Sequence, residues 1–358
     1  MQGRLQAWND ILGCGMTKLV DYFLLDNWDF LVYTDFIDST GDNGVVLIIL
    51  IVVLLILSIV SLFIGTVDIS LFDIFSLSET QWAVMFAGRV PRLVSILVVG
   101  MSMSIAGLIM QVLTRNKFVS PTTAGTMDGA RLGVLLSLIF FGAAGMFFRT
   151  IFAFVFTLAA TVLFIKLINQ IRFKNIIYVP LVGIMYGNIL ASITMFIAFQ
   201  NDMVQNVNTW LVGDFSSILR GRYEMLYVLI PLMIIAYLYA NKFIIAGMGE
   251  DFSKNLGLNY KLTLNLGLVI VSIISAVTLL IVGVIPFLGL IVPNIISIIF
   301  GDNLRKTLPI TAVGGALFLL ICDIISRTIM WPHEVPISLT VGIIGGAVFL
   351  YLLARRRV

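Results

Sequence analysis

Few residues in this chain have the types and spacing for chemistry. The single histidine is His333, and no His, Cys and carboxylate group shares the spacing of metal ligands. No G-x-x-x-x-G-K-[ST] phosphate loop occurs, and no nucleophile stands beside a base. The chain is therefore expected to have no catalytic residue, no metal site and no bound cofactor of its own. Three charged groups remain. Arg89-Val90-Pro91-Arg92 opens an apolar run, with Pro91 suited to a helix start, and Arg327 closes a later run. Three guanidinium groups at one surface offer bidentate sites to carboxylates, and interfacial anchors that snorkel fit the same pattern. Asp128, Arg131, Lys166 and Asp323 fall inside apolar runs. Asp128 and Arg131, three apart, can pair on one helix face, but the set is thin for proton or sodium coupling.

The third group is Gly249-Glu-Asp-Phe-Ser-Lys-Asn-Leu-Gly-Leu258, a charge-mixed island between two apolar runs. Glu250 and Asp251 sit where a helix N-terminus favours negative charge, and Gly257 where a short helix would end. Phe252 and Leu256, four apart, share one face of such a helix. A docking element for a second protein and a solvated loop both fit.

The elements that position these groups are membrane spans. Of 358 residues, 60% are hydrophobic and 11% charged, against about a quarter charged in soluble domains. Mean hydropathy is +1.08. The net charge of +3 implies no nucleic acid. Runs of about 20 apolar residues suffice to cross a bilayer. They predict ten spans: Val45–Ile64, Leu93–Met110, Leu132–Phe148, Thr150–Ile165, Ile176–Phe199, Met225–Ala240, Leu262–Val284, Phe287–Phe300, Leu308–Ser326 and Val335–Ala354. Pro286 must mark a tight reversal or a broken helix. Small residues recur four apart at Gly125, Gly129 and Gly133, at Gly183 and Gly187, and at Gly342 and Gly346, a pattern for close helix packing.

Lysine and arginine bias orients the spans. With Arg355-Arg356-Arg357 inside, both termini are cytoplasmic. Arg115, Lys117, Arg172, Lys174, Lys242, Lys254, Lys261, Arg305 and Lys306 then also fall inside. Arg89, Arg92, Arg149, Arg220, Arg222 and Arg327 fall outside, with Asp68, Asp73 and Glu79. Residues 1–44 stand apart: seven acidic residues against Arg4 and Lys18, with Trp8 and Trp28 between. An interfacial segment, an extension or a start codon placed too early all fit this arm. It shows no cleaved signal pattern. Cys14 and Cys322 are expected as free thiols.

Several ordered motifs then coincide. They are Arg89-Val-Pro-Arg92 leading into Gly100 to Gln111, Asn116 to Gly125 with Pro121, and Gly249-Glu-Asp-x4-Leu-Gly257. Gly283 through Phe287-Leu-Gly-Leu-Ile-Val-Pro293 to Pro309, Asp323-x3-Arg327, Glu334-x-Pro336 and Gly342-x2-Gly345 complete the set. Over residues 45–358 the chain resembles FecCD-type permeases, the membrane subunits of ABC importers for iron–siderophore complexes, haem and vitamin B12.

The resemblance implies an all-α polytopic type II ABC importer permease fold of ten spans. It implies a pair of permeases, identical or homologous, in the bacterial cytoplasmic (inner) membrane. It matches Gly249, Glu250, Asp251, Lys254, Leu256 and Gly257 to the cytoplasmic coupling helix that meets a partner ATPase, which uses ATP and magnesium. It matches Arg89, Arg92 and Arg327 to arginines that receive acidic residues of an extracytoplasmic solute-binding protein. Gly100, Gln111, Pro121, Gly125, Pro293 and Asn294 fall in its translocation-pathway and helix-packing motifs. The implied mechanism is alternating access driven by the ATPase. Where the family often has His and a nearby Arg, this chain has Asn294 and Ser297; Asn294 points toward members carrying catecholate, petrobactin-like siderophores. The alternatives are a haem or vitamin B12 importer permease, an ion-coupled secondary transporter, and a non-transporting membrane scaffold.

Overall fold

The structure is a computed structural model that describes residues 42–65, 78–142, 145–170, 178–219, 221, 223–301 and 303–355. Most of the acidic arm with Cys14, and Asp68, Asp73, Arg172, Lys174, Arg220, Arg222, Arg356 and Arg357, lie outside the described residues. Contact clustering separates residues 1–48 from residues 49–358, and only the start of the first helix is described in the former.

Helices account for all the regular structure among the described residues. They are α1 (Asp42–Phe63), α2 (Glu79–Val84), α3 (Val90–Thr114), α4 (Thr126–Phe141), α5 (Met146–Gln170), α6 (Tyr178–Gln200) and α7 (Val204–Leu211). After a 3-10 turn at Glu224–Val228 come α8 (Leu229–Leu238), α9 (Ala240–Met248), α10 (Glu250–Asn255) and α11 (Tyr260–Ile281). The chain ends with α12 (Leu288–Phe300), α13 (Leu304–Thr328) and α14 (Ile337–Arg355).

Every predicted span overlaps a helix. Six helices are long and apolar enough to cross a membrane, and a seventh if α8 and α9, bent by 60° at Tyr239, act as one. The other predicted spans fall on the shorter helices α4, α12 and α14. At 1.5 Å per residue the 13 residues of α12 rise about 20 Å, short of a hydrocarbon core of about 30 Å. The 16 residues of α4 also fall short. Two boundaries move as well. The predicted third span, Leu132–Phe148, runs across a real break: α4 stops at Phe141 and α5 starts at Met146. The predicted sixth span stops at Ala240, whereas the helix bends there and continues to Met248.

Around α3 the core is built. Of its apolar window 83% is buried, against 28% for α5 and α6. It packs on α11, α12 and α13. Gly107 lets the backbone of Gly289 in α12 approach so closely that a Cβ there would overlap the Gly289 carbonyl. Gly100 does the same against the Gly315-Ala316 backbone of α13, where a Cβ would sit 2.7 Å from the Ala316 Cα. The predicted small-residue ladders divide. Gly129 and Gly133 seat α4 on α5, with a Cβ at either within 2.5 Å of Ala160 or Phe152 atoms. Gly183 packs on the Thr123 carbonyl, whereas a Cβ at Gly346 would meet nothing within 4 Å among the described residues. The outward faces of α5, α6 and α14 carry exposed Val155, Leu181, Ile184, Ile189, Phe196 and Ile343, as expected of lipid-facing surface.

Pro286 lies in a break between α11 and α12. Residues 282–287 are irregular, Phe287 takes φ 61°, and the Asp214 N–H donates to the Val282 carbonyl at 3.0 Å.

Candidate functional site

A five-residue π-helical turn, Met85–Arg89, runs directly into α3. Pro91 has no N–H and its ring crowds the preceding carbonyls, so the wider turn accommodates it. The extra residue turns Arg89 inward, where its guanidinium donates to the Leu62 carbonyl of α1 at 2.8 Å. Arg327, at the last turn of α13, donates to the carbonyls of Ser61 (3.0 Å) and Ile64 (3.1 Å) and to the Ser61 hydroxyl. It also pairs with Asp323 one turn back. Arg92 completes the cluster, donating to Asp323 Oδ1 from Nε (3.1 Å) and Nη2 (2.8 Å), and to Glu334 Oε2 from Nη1 (2.6 Å).

The structure thus gathers the three arginines predicted to act together, but it corrects how. Arg89 and Arg327 are buried and bonded inside the protein, and Arg92 is only 12% exposed. Desolvated cations need partners, and Asp323 and Glu334 supply them. An open arginine vestibule is not formed. Asp323, read as a charge inside an apolar run, is the hub. The signal for it was its i,i+4 spacing to Arg327; that Ser61 and Glu334 join was not readable from spacing.

The predicted coupling segment forms the short helix α10. Gly249 is its N-cap at φ 118°, with the Arg115 guanidinium so close over its Cα that a Cβ would collide with it. The Ser253 hydroxyl donates to the Gly249 carbonyl at 2.6 Å and to that of Ile245 at 3.0 Å, tying α10 to α9. At the other end Gly257, at φ 73°, donates to Lys254 O and Leu258 N–H to Ser253 O, both at 2.9 Å, the paired closure of a Schellman cap. Glu250, Asp251 and Phe252 project outward, and Lys254 holds Glu250 at 2.9 Å. The hydrogen bond and charge of Lys254 pull the Glu250 carboxyl below its ordinary value, and Glu250 raises the Lys254 ammonium. Leu256 is half-buried and Phe252 exposed, so the predicted shared face is not a buried one.

Gln111, Pro293 and Asn294 meet at the α3–α12 contact. Pro293 removes a backbone donor from α12, and the Leu290 carbonyl takes Asn294 Nδ2 (2.7 Å) and Gln111 Nε2 (3.3 Å). Asn294 Nδ2 also reaches the Lys117 carbonyl at 2.7 Å. Pro121 and Gly125 belong to the turn that follows, Pro121 lying against Gly289 and Gly125 (φ 72°) against Tyr186. All six predicted pathway or packing residues are buried in helix contacts here. Asp128 and Arg131 do pair, at 3.2 Å, while Lys166 is exposed. Among the described residues no group of three potential metal ligands occurs.

A helical bundle with lipid-facing sides, a buried charge cluster at one end and an outward polar helix at the other is a multi-pass membrane permease. The chain belongs to the FecCD transport family, whose family model matches residues 52–355. It is 56% identical over 300 residues (84% of this chain, 95% of the relative) to the petrobactin import system permease protein YclN of Bacillus subtilis. It is 41% identical over 295 residues (82% and 94%) to the ferric-anguibactin transport system permease protein FatD of Vibrio anguillarum. Its fold is similar to that of a solved inward-facing metal-chelate-type ABC transporter, with TM-score 0.74, 23% identity, and 87% and 99% of the two chains covered.

Proposed function

We propose that this chain is the membrane-spanning subunit of an ATP-driven importer of iron(III)–siderophore complexes of the petrobactin type. The observation that carries the substrate is the 56% identity to a petrobactin import permease across 95% of that protein. Haem and vitamin B12 gain no support, because the most similar relatives named above are both siderophore permeases.

The α10 segment, Gly249 to Leu258, is the contact for the ATPase, with both termini on the same, cytoplasmic side. In support, it is a capped helix that presents Glu250, Asp251 and Phe252 outward. The opposite end receives the solute-binding protein. There Arg92 and Glu334 lie nearest the surface, while Arg89 and Arg327 shape the site from within. Two permeases, identical or homologous, enclose the pathway, and the unpartnered apolar faces of α6 and α14 leave room for the second. Energy enters through the partner ATPase, in line with the absence of a phosphate loop in the sequence.

The substrate is tested by uptake of radiolabelled ferric petrobactin in cells lacking this permease and complemented with it. Restored uptake that vanadate blocks and a protonophore does not is expected. Restoration only with ferric citrate or haem would overturn the substrate assignment. Coupling is tested by replacing Glu250 and Asp251 together with Lys. The expected outcome is a folded permease that no longer retains the ATPase in pull-down; undiminished retention and transport would overturn it.

A further inference from the structure

Two residues with unusual backbone, far apart in the chain, meet where α3 ends. Arg115 follows α3 directly at φ 52° and ψ 35°. Its N–H donates to the Val112 carbonyl at 3.2 Å, and that of Asn116 to the Gln111 carbonyl at 3.0 Å. This is the paired closure of a Schellman cap, whose left-handed position usually holds glycine because glycine has no Cβ to crowd. An arginine is kept there against that preference, and such backbone outliers gather at sites of function. The second residue is Gly249, whose φ 118° and ψ 167° lie in a region open essentially to glycine alone.

The two are in contact. A Cβ on Gly249 would stand 2.2 Å from Arg115 Nη2 and 3.2 Å from its Cζ, so the guanidinium packs directly on the Gly249 Cα. Gly247, near the end of α9, receives Val112 in the same way. A Cβ there would stand 2.8 Å from Val112 Cγ1 and 3.0 Å from the Val112 carbonyl oxygen. The last turn of α3 is thus seated at two points on the junction of α9 and α10. That junction is itself braced by the Ser253 hydroxyl, which donates to the carbonyls of Gly249 and Ile245. A push on α10 therefore reaches Gly249 with α9 and α10 tied together. On the receiving side α3 is the core helix, and its 25 residues rise about 37 Å. Near its far end Arg92 holds Asp323 of α13.

We propose that Arg115 is a positioning residue that carries displacement of α10 into α3, and through α3 to the charge cluster around Asp323. This rests on the reading of α10 as the ATPase contact. Arg115 acts by packing on Gly249 and touches neither ATPase nor substrate. Packed side chains joined to rigid helices are the kind of contiguous network that carries coupling between distant sites.

The test uses the full-length permease assembled with its ATPase in proteoliposomes, with ferric petrobactin supplied on the solute-binding protein. ATPase retained in pull-down, ATP hydrolysed, chelate taken up and the midpoint of thermal unfolding are read. The deciding variant is R115G. Glycine suits the φ 52° cap, so the midpoint should hold or rise. ATPase retention should match the unsubstituted permease. Uptake per ATP hydrolysed should fall at least about fivefold, the low end of ordinary coupling between sites. K242Q, which changes an exposed lysine of α9, should keep the full ratio. The variant E250K/D251K separates the two readings. If it retains the ATPase undiminished, the α10 reading fails and the proposal fails with it. If it loses the ATPase while R115G keeps its uptake per ATP, the proposal alone fails. A lowered midpoint in R115G would make the role structural, and lost ATPase retention would make Arg115 a docking residue. Either result, or an equal fall in K242Q, overturns the proposal.

Discussion

The carboxylate of Asp323, wholly buried in α13, lies 2.8 Å from the guanidinium of Arg92 in α3 and uses its other oxygen for Arg327. One side chain therefore pairs with two arginines and joins two core helices whose residues are 231 apart in sequence.

Removing that charge should be severe. Asp323→Asn leaves two desolvated cations with one partner between them, a loss of about 3–5 kcal/mol by the behaviour of broken buried pairs. Glu334→Gln removes a half-exposed partner and should cost about 1 kcal/mol or less. Thermal unfolding in detergent checks the ordering; equal effects would show that Asp323 is not the hub.

Charge reversal separates a brace from a docking surface. Arg327→Glu sets a second carboxylate beside Asp323 where water is excluded, and should abolish recovery of folded protein. A fully folded Arg327→Glu permease that merely bound its solute-binding protein more weakly would place that guanidinium at the surface after all. Size-exclusion yield and a binding titration at low and high salt distinguish the two.

Close backbone contact gives a steric prediction. Gly107→Ala must push α12 away from α3, since the added carbon meets backbone and not a flexible side chain. A loss of about 1–3 kcal/mol or more is expected. At Gly314 in α13, a Cβ would find only ordinary contacts beyond 3.6 Å. Gly314→Ala should be neutral or stabilising by up to about 1 kcal/mol through helix propensity. Paired melting curves read the contrast.

For α10 the prediction concerns pH. The Glu250 carboxyl is depressed, so its contribution is present above its unfolded value and disappears as pH falls through the lower folded one. Lys254 is raised, so its share is present below its unfolded value and is lost as pH rises through the higher folded one. Between about pH 5 and 10 both act. A spin label at Asn255→Cys should stay ordered across that window and gain mobility at its acid edge. Glu250→Gln should remove that acid transition; an unchanged transition would assign it to another group.

Much of this was legible in the chain because it depends on local composition. Apolar runs separated by polar turns predict membrane helices, since a bilayer leaves backbone groups no partner except their own helix. The short helix α10 was legible too, because acidic residues at its start and Gly257 at its end act within one or two turns. Helix length was less legible, because hydropathy reports burial from water: α12 is one apolar run yet only 13 residues long.

By itself the sequence determined an all-helical membrane protein, by its resemblance a permease of the FecCD kind, with charged groups at marked places and no nucleotide loop. Tertiary structure alone decided what those charges face. Arg89, Arg92 and Arg327 read as one outward-facing trio, and the fold turned them inward, upon Leu62, Asp323 and Ser61 respectively. Side-chain spacing sets which residues share a helix face. Whether that face meets water or a buried carboxylate depends on helices far apart in the chain, and no local pattern encodes that meeting.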